Sequence, residues 1–93
     1  MSALIENLGI LEALFGKTRR SILALLFRQP DEDFHLRKIL RLAGISPGAG
    51  QRELRRLASA GIILRTERDS RVYFQANSVC PIYIELKSIF TAL

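Results

Sequence analysis

The sequence predicts a small, mainly helical domain that carries one β-hairpin, with the element order α-α-α-α-β-β-α. Three observations predict this fold class. Apolar residues recur at helical spacing over most of the 93 residues, a length typical of one domain. Two short predicted helices are separated only by Gly44-Ile45-Ser46, which is the spacing of a helix-turn-helix. Two stretches rich in Ile, Val, Tyr and Phe then follow, joined by Asp69-Ser70 as in a hairpin.

Turn and capping residues predict where each element begins and ends. The second helix closes at Gln29-Pro30, because the residue before a proline avoids the α region. Gly44 suits the left-handed position after a helix, and Ser46-Pro47 suits the start of the next one. The segment 33–35 is too short for a helix and is predicted to be briefly extended. The predicted helices cover residues 3–15, 17–28, 36–43, 47–60 and 81–93, and the strands cover 62–68 and 71–77.

The basic residues are concentrated in the middle of the chain. Residues 17–71 hold 13 of the 14 Lys and Arg but only six of the nine acidic residues, which gives this segment a net charge of +7. Eleven of the basic residues are Arg, whose planar donor fork suits phosphates and guanine edges. A basic middle between slightly acidic ends indicates a polyanionic partner, although charge alone is equally compatible with a solvated basic face.

The helix predicted over 47–60 has one apolar face and one face suited to base recognition. Helical spacing places Gly50, Leu54, Leu57 and Ala58 together. Arginine can bind guanine through two hydrogen bonds, and glutamine can bind adenine in the same way. The alternative is a surface helix whose arginines are only solvated. The predicted outer face and its flanks comprise Gly48, Gln51, Arg52, Arg55, Arg56 and Ser59.

The segment 11–77, which includes GISPGAGQRELRRLASAGII, resembles the winged helix-turn-helix regulators of the ArsR-like and MarR-like group. The resemblance implies a DNA-binding and usually homodimeric protein, with 47–60 as the recognition helix and 62–77 as the wing. Relatives also occur as the DNA-binding part of chains that carry a nucleotidyltransferase domain. The sequence departs from the family at Gly50, where a branched apolar residue is usual. The missing side chain is expected to loosen the packing of the recognition helix, since a mid-helix glycine costs about 1 kcal/mol relative to alanine.

Further DNA contacts are expected outside the recognition helix. Basic residues at the tip of the wing are expected to meet phosphates or a minor groove, and the alternative is that opposite charges pair across the two strands of the hairpin. The start of the second helix is expected to contact backbone phosphates. The complete set of predicted DNA-binding residues is Lys17, Thr18, Arg19, Ser46, Gly48, Gln51, Arg52, Arg55, Arg56, Arg68 and Arg71.

The two terminal helices carry apolar stripes that a small core is not expected to cover completely. An uncovered stripe of this kind usually marks a partner surface. The sequence therefore predicts a homodimer joined by residues 3–15 and 81–93, and the alternative is that both helices fold back over a monomer core. The predicted dimer-interface residues are Leu4, Leu8, Leu11, Ile82, Leu86, Ile89, Phe90 and Leu93.

Other signals in the sequence do not indicate catalysis. Gly16-Lys17-Thr18 lacks the earlier glycine and the strand of a phosphate-binding loop. His35 and Cys80 are each the one residue of their type, so they indicate a helix cap and a packed thiol rather than a metal or catalytic site. We therefore expect no enzyme activity, no metal and no cofactor. No leader peptide or membrane span is recognised, and a cytoplasmic location is expected.

Taken together, these features predict a sequence-specific transcriptional regulator that binds double-stranded DNA. Two other functions fit the same fold. One is a winged-helix module that binds proteins instead of DNA. The other is the regulatory partner of a separately encoded enzyme, such as a nucleotidyltransferase.

Overall fold

A computed structural model describes the backbone from Ala3 to Leu93 and the side chains from residue 9 onward. It confirms the predicted fold class and adds a short first strand that turns the hairpin into a three-stranded sheet. None of the helices in this range is long and apolar enough to cross a membrane. The elements are α1 (Ala3–Leu14), α2 (Lys17–Arg28), β1 (Phe34–His35), α3 (Leu36–Ala43), α4 (Pro47–Ser59), β2 (Ile63–Arg68), β3 (Arg71–Ala76) and α5 (Tyr83–Ala92).

The sheet is antiparallel, with β3 between β1 and β2. The predicted turn at Asp69-Ser70 is confirmed: both residues have positive φ angles, 51° and 63°, as in the tight turns whose twist matches a hairpin. Pairing of His35 with Tyr73 brings the start of α3 beside the wing. The segment 33–35, predicted as briefly extended, thus connects the helix-turn-helix to the hairpin.

The turn between α3 and α4 is built as the sequence predicts. Gly44 adopts the left-handed conformation (φ 66°, ψ 41°), and the N–H of Ile45 donates to the Leu40 carbonyl at 3.1 Å. Ser46 has the extended conformation of an N-cap, and Pro47 opens the helix. The Ser46 side chain makes no capping hydrogen bond, so its hydroxyl remains available at the exposed start of α4.

Helix α2 lies at the centre of the core and packs against the other helices and the sheet. Its buried side chains line up along one face, as its helical spacing predicts. Each such side chain contributes roughly 1.5–3 kcal/mol when removed from water. The largest fully buried side chains of the core are Phe27, Phe90, Ile22, Leu23, Leu26, Ile39, Leu54 and Ile63.

Gly50 does not leave a gap in the packing of α4, so the expectation of looser packing was wrong. A Cβ atom at this position would lie 2.3 Å from Leu40 Cδ2 and 3.0 Å from Ile45 Cδ1. The space that a branched residue would fill is therefore already occupied by side chains of α3 and the turn. Gly50 allows α4 to approach them closely, and a side chain at this position would require Leu40 and Ile45 to move.

The structure also corrects the predicted role of the terminal apolar stripes. Leu11, Leu86 and Phe90 are 5%, 6% and 0% exposed within a single chain, so they belong to its own core. Ile89 and Leu93 are partly buried against that core. The stripe of α5 and Leu11 of α1 are therefore covered by the chain's own core, while association of two chains stays a prediction. The reason is that α2 presents an apolar face of its own to α5, a pairing that spacing along α5 cannot reveal.

Three other residues of the predicted interface are Ile82, Leu4 and Leu8. Ile82 is exposed, because α5 begins at Tyr83 rather than at residue 81. Two consecutive turns precede the helix, closed by hydrogen bonds from Cys80 N to the Asn77 carbonyl and from Tyr83 N to the Cys80 carbonyl. Leu4 and Leu8, which were also predicted at the interface, lie outside the residues whose side chains are described.

Candidate nucleic-acid interface

Helix α4 presents a polar face to solvent over its whole length. Gly50, Leu54 and Leu57 are buried and fix the rotation of the helix about its axis. The side chains on the other face of α4 therefore point into solvent. Gly48, Gln51, Arg52, Arg55, Arg56 and Ser59 are all exposed, as the spacing in the sequence predicts.

The arginines of this face have no acidic partner among the described residues. The side chains of Arg52, Arg55 and Arg56 form no hydrogen bond or ion pair there. The acidic residue of α4, Glu53, points to the side and pairs with α2 instead. Gly48 leaves room for the Arg52 side chain, whose Nη1 lies 3.6 Å from where a Cβ would stand. Three guanidinium groups on one helix are therefore available to an external anion or base edge.

The two flanks of α4 face different parts of the molecule. On one side, α4 and the hairpin enclose an open groove of about 300 Å³, which we call the α4–wing groove. Gln51, Arg55 and Ser59 line its helix side, and Arg65 lines its hairpin side. On the other side, Arg56 borders a second groove against α1, α2 and the start of α5. The first flank thus combines helix and wing into one concave surface.

Arg19, a predicted phosphate ligand, is paired with Glu53. Its Nε donates to Glu53 Oε2 at 2.6 Å, and the two side chains are 38% and 15% exposed. The hydrogen bond and the charge of Glu53 raise the pKa of Arg19 above its ordinary value. The pair joins the first turn of α2 to the middle of α4. A phosphate contact by Arg19 would have to displace this carboxylate, whereas Lys17 beside it is exposed and Thr18 is half-buried.

The wing carries three arginines in three different situations. Arg68 pairs with Asp33 and stacks over the Tyr73 ring at 3.9 Å, so it fastens the end of β2 to the loop before β1. The hydrogen bond from Arg68 lowers the pKa of Asp33. Arg65 pairs with Glu67 at 2.9 Å. Arg71 is exposed and has no acidic partner among the described residues. Arg65 and Arg68 are thus paired with acidic residues, but neither pair is the cross-strand pairing considered as the alternative. Arg65 and Glu67 lie on the same strand, and Asp33 lies outside the hairpin.

Sequence reasoning missed the acidic partners of Arg19 and Arg68, which lie 34 and 35 residues away along the chain. It also missed Arg37, which is exposed in the first turn of α3 and lies beside the wing. The sequence does show that Arg37 is a basic residue near the start of a helix. It does not show that Arg37 lies beside the wing, because that depends on the pairing of β1 with β3. His35 was predicted to cap a helix, and its Nδ1 does accept a hydrogen bond from the Arg37 N–H.

Within the described residues, no group of three or more His, Cys, Asp and Glu side chains comes together as a metal site would require. Cys80 is buried.

The fold matches that of a solved transcriptional repressor. The crystal structure of the AntR antimony-specific transcriptional repressor superposes with a TM-score of 0.62, over 99% of this chain and 80% of that one. The two sequences are 16% identical, so the likeness concerns the fold. No protein-family model matches the sequence, and a search of curated proteins finds no relative.

Proposed function

We propose that this protein is a transcriptional regulator that binds double-stranded DNA in a sequence-specific manner. One observation carries the proposal: α4 is buried along one face, and along the other it offers Gln51 and three arginines that have no acidic partner among the described residues. The B-DNA major groove is about 12 Å wide and admits one α-helix. A repressor with the same fold supports the proposal at the level of fold.

The residues of the interface take different roles in this proposal. Gln51, Arg52 and Arg55 read base edges, because they project from the middle of the helix. Ser46 and Gly48 lie at its exposed start and let the backbone approach a phosphate. Lys17, Thr18, Arg56 and Arg71 contact the flanking DNA backbone. Arg19 and Arg68 act through their acidic partners, holding α4 and the wing in position.

The experiment that tests base reading begins with selection of a preferred duplex from a random pool. Binding of the wild-type chain, Arg55→Ala and Lys87→Ala is then measured on the selected duplex and on a scrambled one. Arg55→Ala is expected to lose about 1–3 kcal/mol on the selected duplex and little on the scrambled one. Lys87→Ala removes the same charge from α5, outside the interface, and is expected to bind as wild type. Equal losses on both duplexes would show that Arg55 contacts only phosphates.

We further propose that two chains associate through the apolar surface formed by the end of α1 and the start of α5. Leu14 is 61% exposed and Ile82 is 48% exposed, and both line the groove of about 280 Å³ that Arg56 borders. Most of its other lining residues are apolar, apart from Arg19. Exposed apolar side chains beside such a groove are typical of an interaction surface. A two-fold dimer would place two recognition helices about 34 Å apart, one turn of DNA.

The dimer proposal is tested by sedimentation of the full chain over a concentration series. Replacing Leu14 and Ile82 together by Ser is expected to weaken association by at least tenfold. Leu42→Ser changes a side chain that is 52% exposed on α3 and serves as the matched control. A wild-type chain that stays monomeric at tens of micromolar would contradict the proposal, as would a double variant that associates normally.

A further inference from the structure

A third cavity, separate from the two grooves beside α4, lies where the first turn of α3 meets the tip of the wing. The antiparallel pairing of β1 with β3 brings these two segments together, since His35 is opposite Tyr73. The cleft has a volume of about 550 Å³ and is open to solvent. We call it the α3–wing cleft, and it is lined by His35, Leu36, Arg37, Ser70, Arg71 and Val72.

The charges around this cleft favour an anion. Arg37 comes from α3 and Arg71 from β3, and neither has an acidic partner among the described residues. Asp33, which lies close by in the preceding loop, is neutralised by Arg68. Asp69 is in the turn next to Ser70 and forms no hydrogen bond or ion pair with either arginine. Two arginines and Ser70 thus line one cavity.

The cleft lies next to the surface proposed to read DNA. Leu36 and Val72 line both the α3–wing cleft and the α4–wing groove, so the two cavities share a wall. A duplex seated against Gln51 and Arg55 would therefore have its backbone at the mouth of the cleft. The planar guanidinium fork binds phosphate oxygens through paired hydrogen bonds, and two forks from opposite sides suit a tetrahedral anion.

We propose that the α3–wing cleft binds one backbone phosphate of the DNA, held between Arg37 and Arg71 with the Ser70 hydroxyl as a third donor. The inference rests on the proposed function, because the phosphate belongs to the duplex that α4 reads. Arg37 thereby joins the proposed DNA interface, and Arg71 and Arg37 bind the same phosphate. The contact would fix the register of the duplex against α4 without reading its sequence.

The experiment measures the salt dependence of binding for the full chain on one selected duplex. Each phosphate neutralised on B-DNA contributes about 0.9 to the slope of log K against log salt. If both arginines hold the same phosphate, Arg37→Ala/Arg71→Ala lowers the slope by about 0.9. Two separate phosphates would instead lower it by about 1.8, which would overturn the shared site. Arg37→Lys keeps the charge and is expected to retain most of the slope, and Lys87→Ala is the control outside the interface.

Neutral methylphosphonate linkages, introduced one at a time, locate the phosphate on the DNA. One position is expected at which the neutral linkage weakens wild-type binding but leaves the double variant unaffected. An unchanged slope in the double variant would overturn the cleft assignment, while a loss of specificity in Arg55→Ala would still support the proposed function. A wild-type chain that binds no duplex at all would overturn the proposed function itself.

Discussion

Substitution of Gly50 tests whether the recognition helix is held by close packing. In an open helix, replacing glycine by alanine gains about 1 kcal/mol of helix propensity. Here the new Cβ would lie 2.3 Å from Leu40 Cδ2 and 3.0 Å from Ile45 Cδ1, and overpacking of this kind costs about 1–3 kcal/mol. Leu40 is only partly buried and can turn away from a single methyl group. We therefore expect Gly50→Ala to lower the free energy of unfolding by about 1 kcal/mol, and Gly50→Val by more.

The matched control is Gly48→Ala, two residues earlier in the same helix. Gly48 is exposed, and its Cβ would meet only Arg52 Nη1 at an ordinary 3.6 Å. This variant is expected to be neutral or stabilised by up to about 1 kcal/mol. Urea unfolding followed by circular dichroism measures all three variants at one fixed chain concentration, since association would shift the apparent stability.

A further variant separates the clash from other effects of Gly50. In a Leu40→Ala background, the nearest obstacle is gone, so adding Gly50→Ala is expected to be less harmful than in the wild type. The resulting coupling energy is a direct measure of the contact. If Gly50→Val raised the unfolding free energy as a filled cavity would, the close-packing explanation would be refuted and the loosened helix expected from the sequence would be restored.

Two other predictions concern the ion pairs that hold the interface in place. Glu53→Gln removes the acidic partner of Arg19, and because the pair is partly exposed we expect the unfolding free energy to fall by about 0.5–1 kcal/mol. An unfolding free energy equal to that of the wild type, measured by urea unfolding, would contradict this. Arg68 lowers the pKa of Asp33, so their pair adds stability above pH 3.8, the ordinary pKa of that carboxyl group, and this stability is lost as the pH falls through the lowered value. Asp33→Asn is therefore expected to make the unfolding free energy depend less steeply on pH at acidic pH. The same pH dependence in the variant and the wild type would refute this prediction.

The parts of the fold that depend on neighbouring residues could be predicted from the sequence. The limits of α3 match the prediction because Gly44 stops the helix and adopts the left-handed conformation there. Pro47 marks the start of α4, and Asp69-Ser70 marks the tip of the hairpin. The exposed face of α4 follows from helical spacing alone. These features are fixed by backbone chemistry within a few residues, so little tertiary information is needed.

The parts that depend on distant residues could not be predicted. Arg19 and Arg68 were expected to be free for DNA, but each meets a carboxylate more than 30 residues away. Gly50 was interpreted as a loss of packing because the positions of Leu40 and Ile45 were unknown. The apolar stripe of α5 showed that Phe90 would be buried, but spacing alone does not say whether the same chain or a second copy buries it.

The central claim, that α4 reads duplex DNA, is tested most directly by the affinity of the wild-type full chain for two duplexes across a salt series. One duplex is the selected sequence, and the other is its scrambled counterpart of the same length and composition. We expect both affinities to fall steeply with salt, and the selected duplex to be preferred by about 10³-fold or more at physiological salt. Equal affinity for both duplexes, unchanged by salt, would contradict the claim and favour a winged-helix module that binds proteins.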